Sequence, residues 1–329
     1  MRVDLSDRCV RSRRRAPRAA RVVSQVVLLL TLGSFACQLV PSHAAAQVPQ
    51  NPSPMVDTTR PHPRLDPPVA DGQRESLSIG TLFVPGNFGG AERVPVIVNF
   101  HGSFWLGEHY VSQLLPDVVL VMVPLGAGSR LYNDAFADHV AFSTLLEEVE
   151  LALEWVAGGE VSLGKILLSS FSAGYGATRA ILRHPEHYDR VDGIILADGL
   201  HASYVDGDAP PRSFERAAEI VAEDLEVFIR FAADAAAGRK QMWVTHSAVF
   251  PGTYASTTET ADYLLERLGL ARTPVLKAGP IGMQQLSEVE QVGFHLAGFA
   301  GNSAPDHLDH NYALGAWLQQ ARRWLLRPD

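Results

Sequence analysis

From about residue 75 onward, apolar runs of strand length alternate with stretches whose apolar positions recur at helical spacing. SLSIGTLFVP (76–85), VPVIVNFHG (94–102) and DVVLVMVP (117–124) read as strands. The third has no polar residue in its middle, the pattern of a strand covered on both faces. KILLSS (165–170), VDGIILADG (191–199), QMWVTHSAV (241–249) and VGFHLAGFAG (292–301) continue the series. A helix is predicted over about 136–158, where Leu145, Leu146, Val149, Leu153 and Val156 share a face. Others follow in AGYGATRAILRHP, ended by Pro185, across 212–237, and in TTETADYLLERLGL. The last is APDHLDHNYALGAWLQQARRWLL, with a buried stripe of Leu314, Trp317, Leu318, Ala321 and Leu325. Strands alternating with helices predict an α/β architecture, a doubly wound, mostly parallel central sheet with helices on both faces. Right-handed crossovers would then gather the functional loops at the carboxyl ends of the strands.

The first 74 residues do not share this pattern. Residues 1–21 carry eight arginines, the apolar run VVSQVVLLLTLGSFACQLV follows, and Ala44-Ala45-Ala46 supplies a small-residue cleavage site before Gln47. Together these predict a signal peptide over 1–46. An uncleaved anchor is the alternative, because the apolar run approaches the length that spans a bilayer. Residues 47–74 hold seven prolines and no periodicity, which predicts a linker or loose arm, with a single domain over 75–329. Removing a segment of net charge +6 from a chain of net charge −8 leaves −14. Such acidity speaks against nucleic acid and anionic membrane surfaces as partners. Both cysteines, Cys9 and Cys37, fall in the removed segment, so the mature chain would have neither a disulfide nor a thiol nucleophile. An exported bacterial protein, periplasmic or extracellular, is the expectation.

Four stretches carry candidate chemistry. In ILLSSFSAGYGATRAIL an apolar strand stops at Ser170-Phe171-Ser172-Ala173-Gly174 and restarts as a helix. Small residues around a serine at such a corner permit the sharp turn that displays a nucleophile, and the following helix N-terminus favours negative charge beside it. VNFHGSFW places His101-Gly102 directly after a strand, ILADGLH ends a strand on Asp198-Gly199, and DHLDHNYALG opens the last helix with His307 and His310.

On these four stretches the chain from about 75 to 327 resembles the α/β-hydrolases, and more particularly their bacterial secreted esterases. The resemblance implies Ser172 as nucleophile and an oxyanion hole from the backbone of Ala173 with Ser103 or Phe104, with Gly102 letting the loop turn inward. It implies a histidine base at the top of the final helix. His310 is the first choice there and His307 the alternative. The usual acid position, in the loop VTHSAVFPGTYASTTET, holds no aspartate. Its first acids, Glu259 and Asp262, look like first-turn helix residues, so Asp198 is preferred and Glu259 stays open. Ser170 also stands where the motif usually has its first glycine. His101, Tyr204 and Tyr254, with Phe250, are candidates to shape the substrate pocket.

The implied activity is hydrolysis of a small or extended carboxylic ester through an acyl-enzyme, with no cofactor and no metal. The pair H-x-x-H at 307 and 310 would suit zinc, but no convincing third ligand accompanies it. Peptidase or amidase action on the same scaffold, and an exported binding protein without catalysis, are the rival functions.

Overall fold

Alternate residues of each central strand point to opposite faces, and the chain fills both. In β3 (Arg93–Phe100), Val96, Val98 and Phe100 join one buried cluster while Ile97 joins the other. In β4 (Val119–Val123), Val119, Val121 and Val123 face the first cluster, and Leu120 and Met122 the second. The strands are therefore continuous apolar runs because each has two dry faces. This computed structural model describes residues 69–205 and 219–327. The predicted signal peptide over 1–46, residues 47–68 of the predicted arm and residues 206–218 lie outside the described residues.

The remaining strands are β1 (Gly72–Ser76), β2 (Thr81–Pro85), β5 (Ser162–Phe171), β6 (Gly193–Ala197), β7 (Gln241–His246), β8 (Thr273–Ala278), β9 (Gln284–Gln291) and β10 (Phe294–Phe299). They form one ten-stranded sheet in the order β1-β2-β4-β3-β5-β6-β7-β10-β9-β8. The run from β4 to β10 is parallel, and β1, β2, β9 and β8 pair antiparallel at the two margins. The doubly wound, mostly parallel sheet expected from the sequence is thus the one observed.

Helices α1 (Phe104–Leu114) and α9 (Leu314–Leu325) cover one face, contributing Leu106, Val111, Trp317, Leu318, Ala321 and Leu325. The other face is covered by α3 (His139–Ala157), α4 (Tyr175–Leu182), α6 (Glu226–Ala236) and α7 (Thr257–Leu268), among others. Short helices α2 (Ser129–Ala135), α5 (Pro185–Arg190) and α8 (Ala304–Tyr312) complete the set.

Several elements differ from the sequence expectation. SLSIGTLFVP is not one strand: β1 starts at Gly72, inside the predicted arm, and an antiparallel turn separates it from β2. Pro185 ends α4 but also opens α5, at the first-turn position where its missing N–H costs nothing. The long helix expected over 212–237 is helical from Glu226 to Ala236, and Ile220 instead makes a β-bridge to Tyr204. The closing helix is broken at Ala313 into α8 and α9.

Neighbouring β3 and β5 send their connections in opposite directions, β3 to β4 on one side and β5 to β6 on the other. Their carboxyl ends therefore leave a crevice at this switch point. The residues after β3, β5, β6 and β7 all emerge at this edge.

Candidate active site

The corner after β5 is built by close approach. A Cβ on Gly174 would fall 2.2 Å from the Phe100 carbonyl oxygen, so only glycine lets the new helix pack this tightly on β3. Ser170, in place of the usual first glycine, is buried, and its hydroxyl reaches the Ile195 carbonyl of β6 at 3.5 Å. Ser172 begins a single 3-10 turn (Ser172–Gly174) and has φ 47°. Only five described residues other than glycine have positive φ, and three of them are His101 (64°), Ser172 and Asp198 (43°). Backbone strain costing on the order of 1–3 kcal/mol per residue is thus concentrated at the carboxyl ends of β3, β5 and β6.

Those three ends meet a fourth segment, α8. His307 Nε2 lies 2.9 Å from Ser172 Oγ, and its Nδ1 lies 2.6 Å from Asp198 Oδ2. Serine, imidazole and carboxylate are therefore joined in one line. The imidazole against Ser172 belongs to His307, which corrects the sequence preference for His310. α8 opens with a capping box in which Ser303 and Asp306 exchange hydrogen bonds, with Pro305 in the first turn. This fixes His307 in the first turn of the helix, at the mouth of the crevice. His310 comes one turn deeper, is fully buried, and meets Thr245 Oγ1 at 2.7 Å through Nδ1. The two rings serve different partners, so the H-x-x-H spacing does not form a shared ligand pair.

Asp198 is 1% exposed and accepts from four donors. Besides His307 these are Ser247 N–H at 2.8 Å, Ser247 Oγ–H at 2.7 Å and Thr257 Oγ–H at 2.6 Å. Burial alone would raise its pKa, but the charges of the His310 and His307 imidazoles and the hydrogen bonds from His307 and Thr257 outweigh it. They hold the carboxyl well below the usual carboxylate range. Burial pushes His310 itself down to about 4, so at neutral pH the support for Asp198 comes from His307 and the hydroxyls. The preferred acid is thus the one the structure sets on the histidine. Glu259, the alternative, caps α7 by accepting the Ser256 N–H at 2.8 Å, and it also takes the Tyr204 hydroxyl at 2.7 Å.

On the β3 side, His101 Nδ1 lies 3.1 Å from the Tyr132 hydroxyl, which accepts the Leu125 N–H at 3.0 Å. Phe171 stands between the two imidazoles, stacked on His101 (5.7 Å between centroids) and tilted against His307 (4.7 Å). Gly102 follows with φ 116°, and Ser103 is the N-cap of α1, with Phe104 its first residue. The backbone of Gly102, Ser103 and Phe104 therefore turns at the end of β3, beside the turn that holds Ala173.

A cavity of about 470 Å³ opens on Ser172 and Ala173. Its walls include His101, Tyr175, His201 and Tyr254. His101 and Tyr254 thus stand where the sequence expectation put them. Tyr204 and Phe250 do not: both are buried, and Tyr204 spends its hydroxyl on the α7 cap, away from the cavity wall. Sequence reasoning missed Ser247 and Thr257, which hold Asp198, and Tyr132, which holds His101. It also passed over His201. Its one available signal was position, three residues beyond Asp198 on the same sheet edge.

A mostly parallel sheet with helices on both faces, and a serine on a strained strand-to-helix turn at the carboxyl end of a central strand, define the α/β-hydrolase fold. Solved structures similar to this chain include the enterobactin esterase from Shigella flexneri, at TM-score 0.46 and 14% identity, covering 79% of this chain and 61% of that one. They also include the Pyrococcus horikoshii acylaminoacyl peptidase, at TM-score 0.44 and 14% identity, covering 79% of this chain and 44% of that one. A soluble variant of the Saccharomyces cerevisiae monoglyceride lipase has TM-score 0.41 and 8% identity, covering 82% of this chain and 100% of that one. The chain spans about three fifths of the esterase's length and under half of the peptidase's. No family model and no curated protein matches the chain. None of these three likenesses reaches a TM-score of 0.5, so the chemistry rests on the chain's own residues.

Proposed function

We propose that the protein is an exported serine hydrolase that cleaves carboxylic esters through an acyl-enzyme. The observation that carries this is the unbroken line from Ser172 Oγ through His307 to Asp198, at 2.9 and 2.6 Å, opening on a cavity. Such distances suit proton transfer between nucleophile and base and orientation of the base by an acid. His307 Nε2 takes the Ser172 proton as Oγ bonds to the ester carbonyl carbon. Asp198 accepts Nδ1–H, keeps the ring in the productive tautomer and stabilises the imidazolium. Backbone N–H groups of Ala173 and of the Gly102–Ser103–Phe104 turn are the donors for the oxyanion. The imidazolium protonates the departing alcohol as its C–O bond breaks. Water then attacks the acyl-enzyme, giving its proton to His307 and releasing the acid and free Ser172. Export is supported by the arginine-rich, apolar and alanine-rich succession in residues 1–46.

The test is labelling of the purified protein with a fluorophosphonate, paired with turnover of activated short-chain esters. Stoichiometric labelling at Ser172, and loss of both labelling and turnover in Ser172→Ala, are expected. Turnover that persists in Ser172→Ala, or a wild-type protein that neither labels nor turns over ester, overturns the reading.

A further inference from the structure

The large side chains that wall the cavity at Ser172 are rings that carry heteroatoms, His101, Tyr175, His201 and Tyr254; the aliphatic ones are alanines. His201 stands between Tyr175, at 5.5 Å between centroids, and Tyr254, at 5.0 Å, both edge-on. Its Nδ1 lies 3.1 Å from the Ala255 carbonyl oxygen. A carbonyl oxygen can only accept, so Nδ1 carries the proton, and Nε2 is left with a lone pair. Burial pushes this imidazole down to about 4, which keeps it neutral near pH 7 and the tautomer fixed. Among the described residues, nothing hydrogen-bonds Nε2. The ring belongs to the same cavity wall as Ser172, and Gly199, two residues before it, lies against the Ser172 backbone: a Cβ there would fall 2.8 Å from the Ser172 carbonyl oxygen.

A neutral acceptor held this rigidly discriminates between substrates. When a donor of the substrate meets it, a hydrogen bond replaces water. When a methylene or methyl group meets it, the acceptor is stripped of water and left unpaired. Sites that hydrogen-bond a substrate O–H or N–H reject the analogue lacking it much more strongly than an apolar pocket rejects an extra methyl group. We propose that His201 Nε2 accepts a hydrogen bond from a hydroxyl group of the substrate, so that the site selects small esters bearing such a donor over plain alkyl esters. His201 is then a specificity residue of the reaction proposed above, and the inference rests on that reading.

The experiment compares kcat/KM within two pairs that exchange a hydroxyl for a methyl group. 4-Nitrophenyl 3-hydroxybutyrate is set against 4-nitrophenyl 3-methylbutyrate for the acyl side, and 2-hydroxyethyl butyrate against propyl butyrate for the alcohol side. Two variants accompany the wild type. His201→Phe keeps a ring between the two tyrosines, and His201→Asn keeps an amide to bond Ala255 but does not reach the ε position. In the wild type the hydroxyl member of at least one pair is favoured by about fivefold or more, the worth of one neutral hydrogen bond. That preference falls toward unity in both variants. A wild-type ratio below fivefold in both pairs overturns the proposal, as does a preference that survives in either variant. Turnover and Ser172 labelling without the preference overturn the role of His201 alone. Absence of both turnover and labelling overturns the hydrolase reading together with it.

Discussion

His310 sets its Nδ1 2.7 Å from Thr245 Oγ1, and the same hydroxyl receives the Asp198 N–H at 3.3 Å. A hydroxyl that accepts from Asp198 has its own proton free to donate to Nδ1. The neutral His310 ring thereby becomes a strut between α8, the end of β7 and the strained turn at Asp198. Its two neighbouring rings, Phe299 and Trp317, close the space around it.

That division of labour separates the two histidines experimentally. His307→Ala is expected to lower kcat by at least about 10³-fold, the worth of a general acid–base in a coupled triad. His310→Ala removes a fully buried ring and takes from the Thr245 hydroxyl the acceptor of its proton, which costs about 2–4 kcal/mol of stability. Urea unfolding and fluorophosphonate labelling, run on both variants, check this. A His310→Ala protein of wild-type stability that fails to label would reverse the assignment.

Asp198 should act through charge and orientation together. Asp198→Asn presents an amide group to Ser247 and Thr257, donors that need an acceptor, and it loses the charge that favours the imidazolium. A fall of about 10⁴-fold in kcat is expected, the size seen when the corresponding acid of a serine triad is neutralised. Thr257→Val removes one of four donors and keeps the charge, so its loss should be about tenfold, in line with a single hydrogen bond to a charged group. Steady-state kinetics on one activated ester orders the two variants, and equal losses would show that Asp198 acts only by its packing.

The sheet was legible in the sequence because its central strands are apolar on both faces; β3, β4 and β6 announce themselves by composition alone. The β8–β9 hairpin was not. It lies at the sheet margin with mostly exposed side chains, and a strand wetted along its length shows no apolar run. Helix α1 was missed because its apolar residues follow directly on the His101-Gly102 turn and read as loop. At the site, Ser172 and Asp198 were readable since each ends an apolar strand beside a small residue. The choice between His307 and His310 was not, because spacing places both on one helix face. What separates them is depth along α8, set by the Ser303–Asp306 cap, and depth is a tertiary quantity. Tyr204 misled for a related reason: an aromatic near a functional loop looks the same in sequence whether it lines the cavity or, as here, is buried with its hydroxyl on Glu259 of the α7 capping box.

Gly199 gives a prediction about space. An added Cβ would lie 2.8 Å from the Ser172 carbonyl oxygen and 2.9 Å from its nitrogen, and backbone cannot move aside as a flexible side chain can. Gly199→Ala should therefore displace the serine turn relative to His307 and slow labelling at Ser172 by about 10²-fold, as small misplacements of a reacting group do. Labelling at the wild-type rate in a folded Gly199→Ala protein would show that the turn has room to spare.

The buried imidazoles make stability depend on pH with a definite sign. His310 is fully buried and His246 nearly so, and burial is the main reason both are pushed down to about 4 from an ordinary value of 6.5. For His246 the Arg272 guanidinium adds to the effect, donating to Nε2 at 2.6 Å. Between pH 6.5 and 4 the unfolded chain binds these protons and the folded chain does not. Stability is therefore fully present above pH 6.5 and is lost as pH falls through that window, with a slope that approaches about 2–3 kcal/mol per pH unit for the two groups. His201, open to the cavity on one side, adds a smaller contribution of the same sign. The lowered Asp198 carboxyl acts in the same sense but at lower pH, below its unfolded value of 3.8. Against a domain stability of about 5–15 kcal/mol, the loss accumulated by pH 4 is a large fraction of the whole. Urea midpoints at pH 7, 6 and 5 should fall steadily, and the fall should be shallower by about one proton in His310→Ala. Midpoints that do not change from pH 7 to 5 would mean that these rings already bind protons in the folded protein.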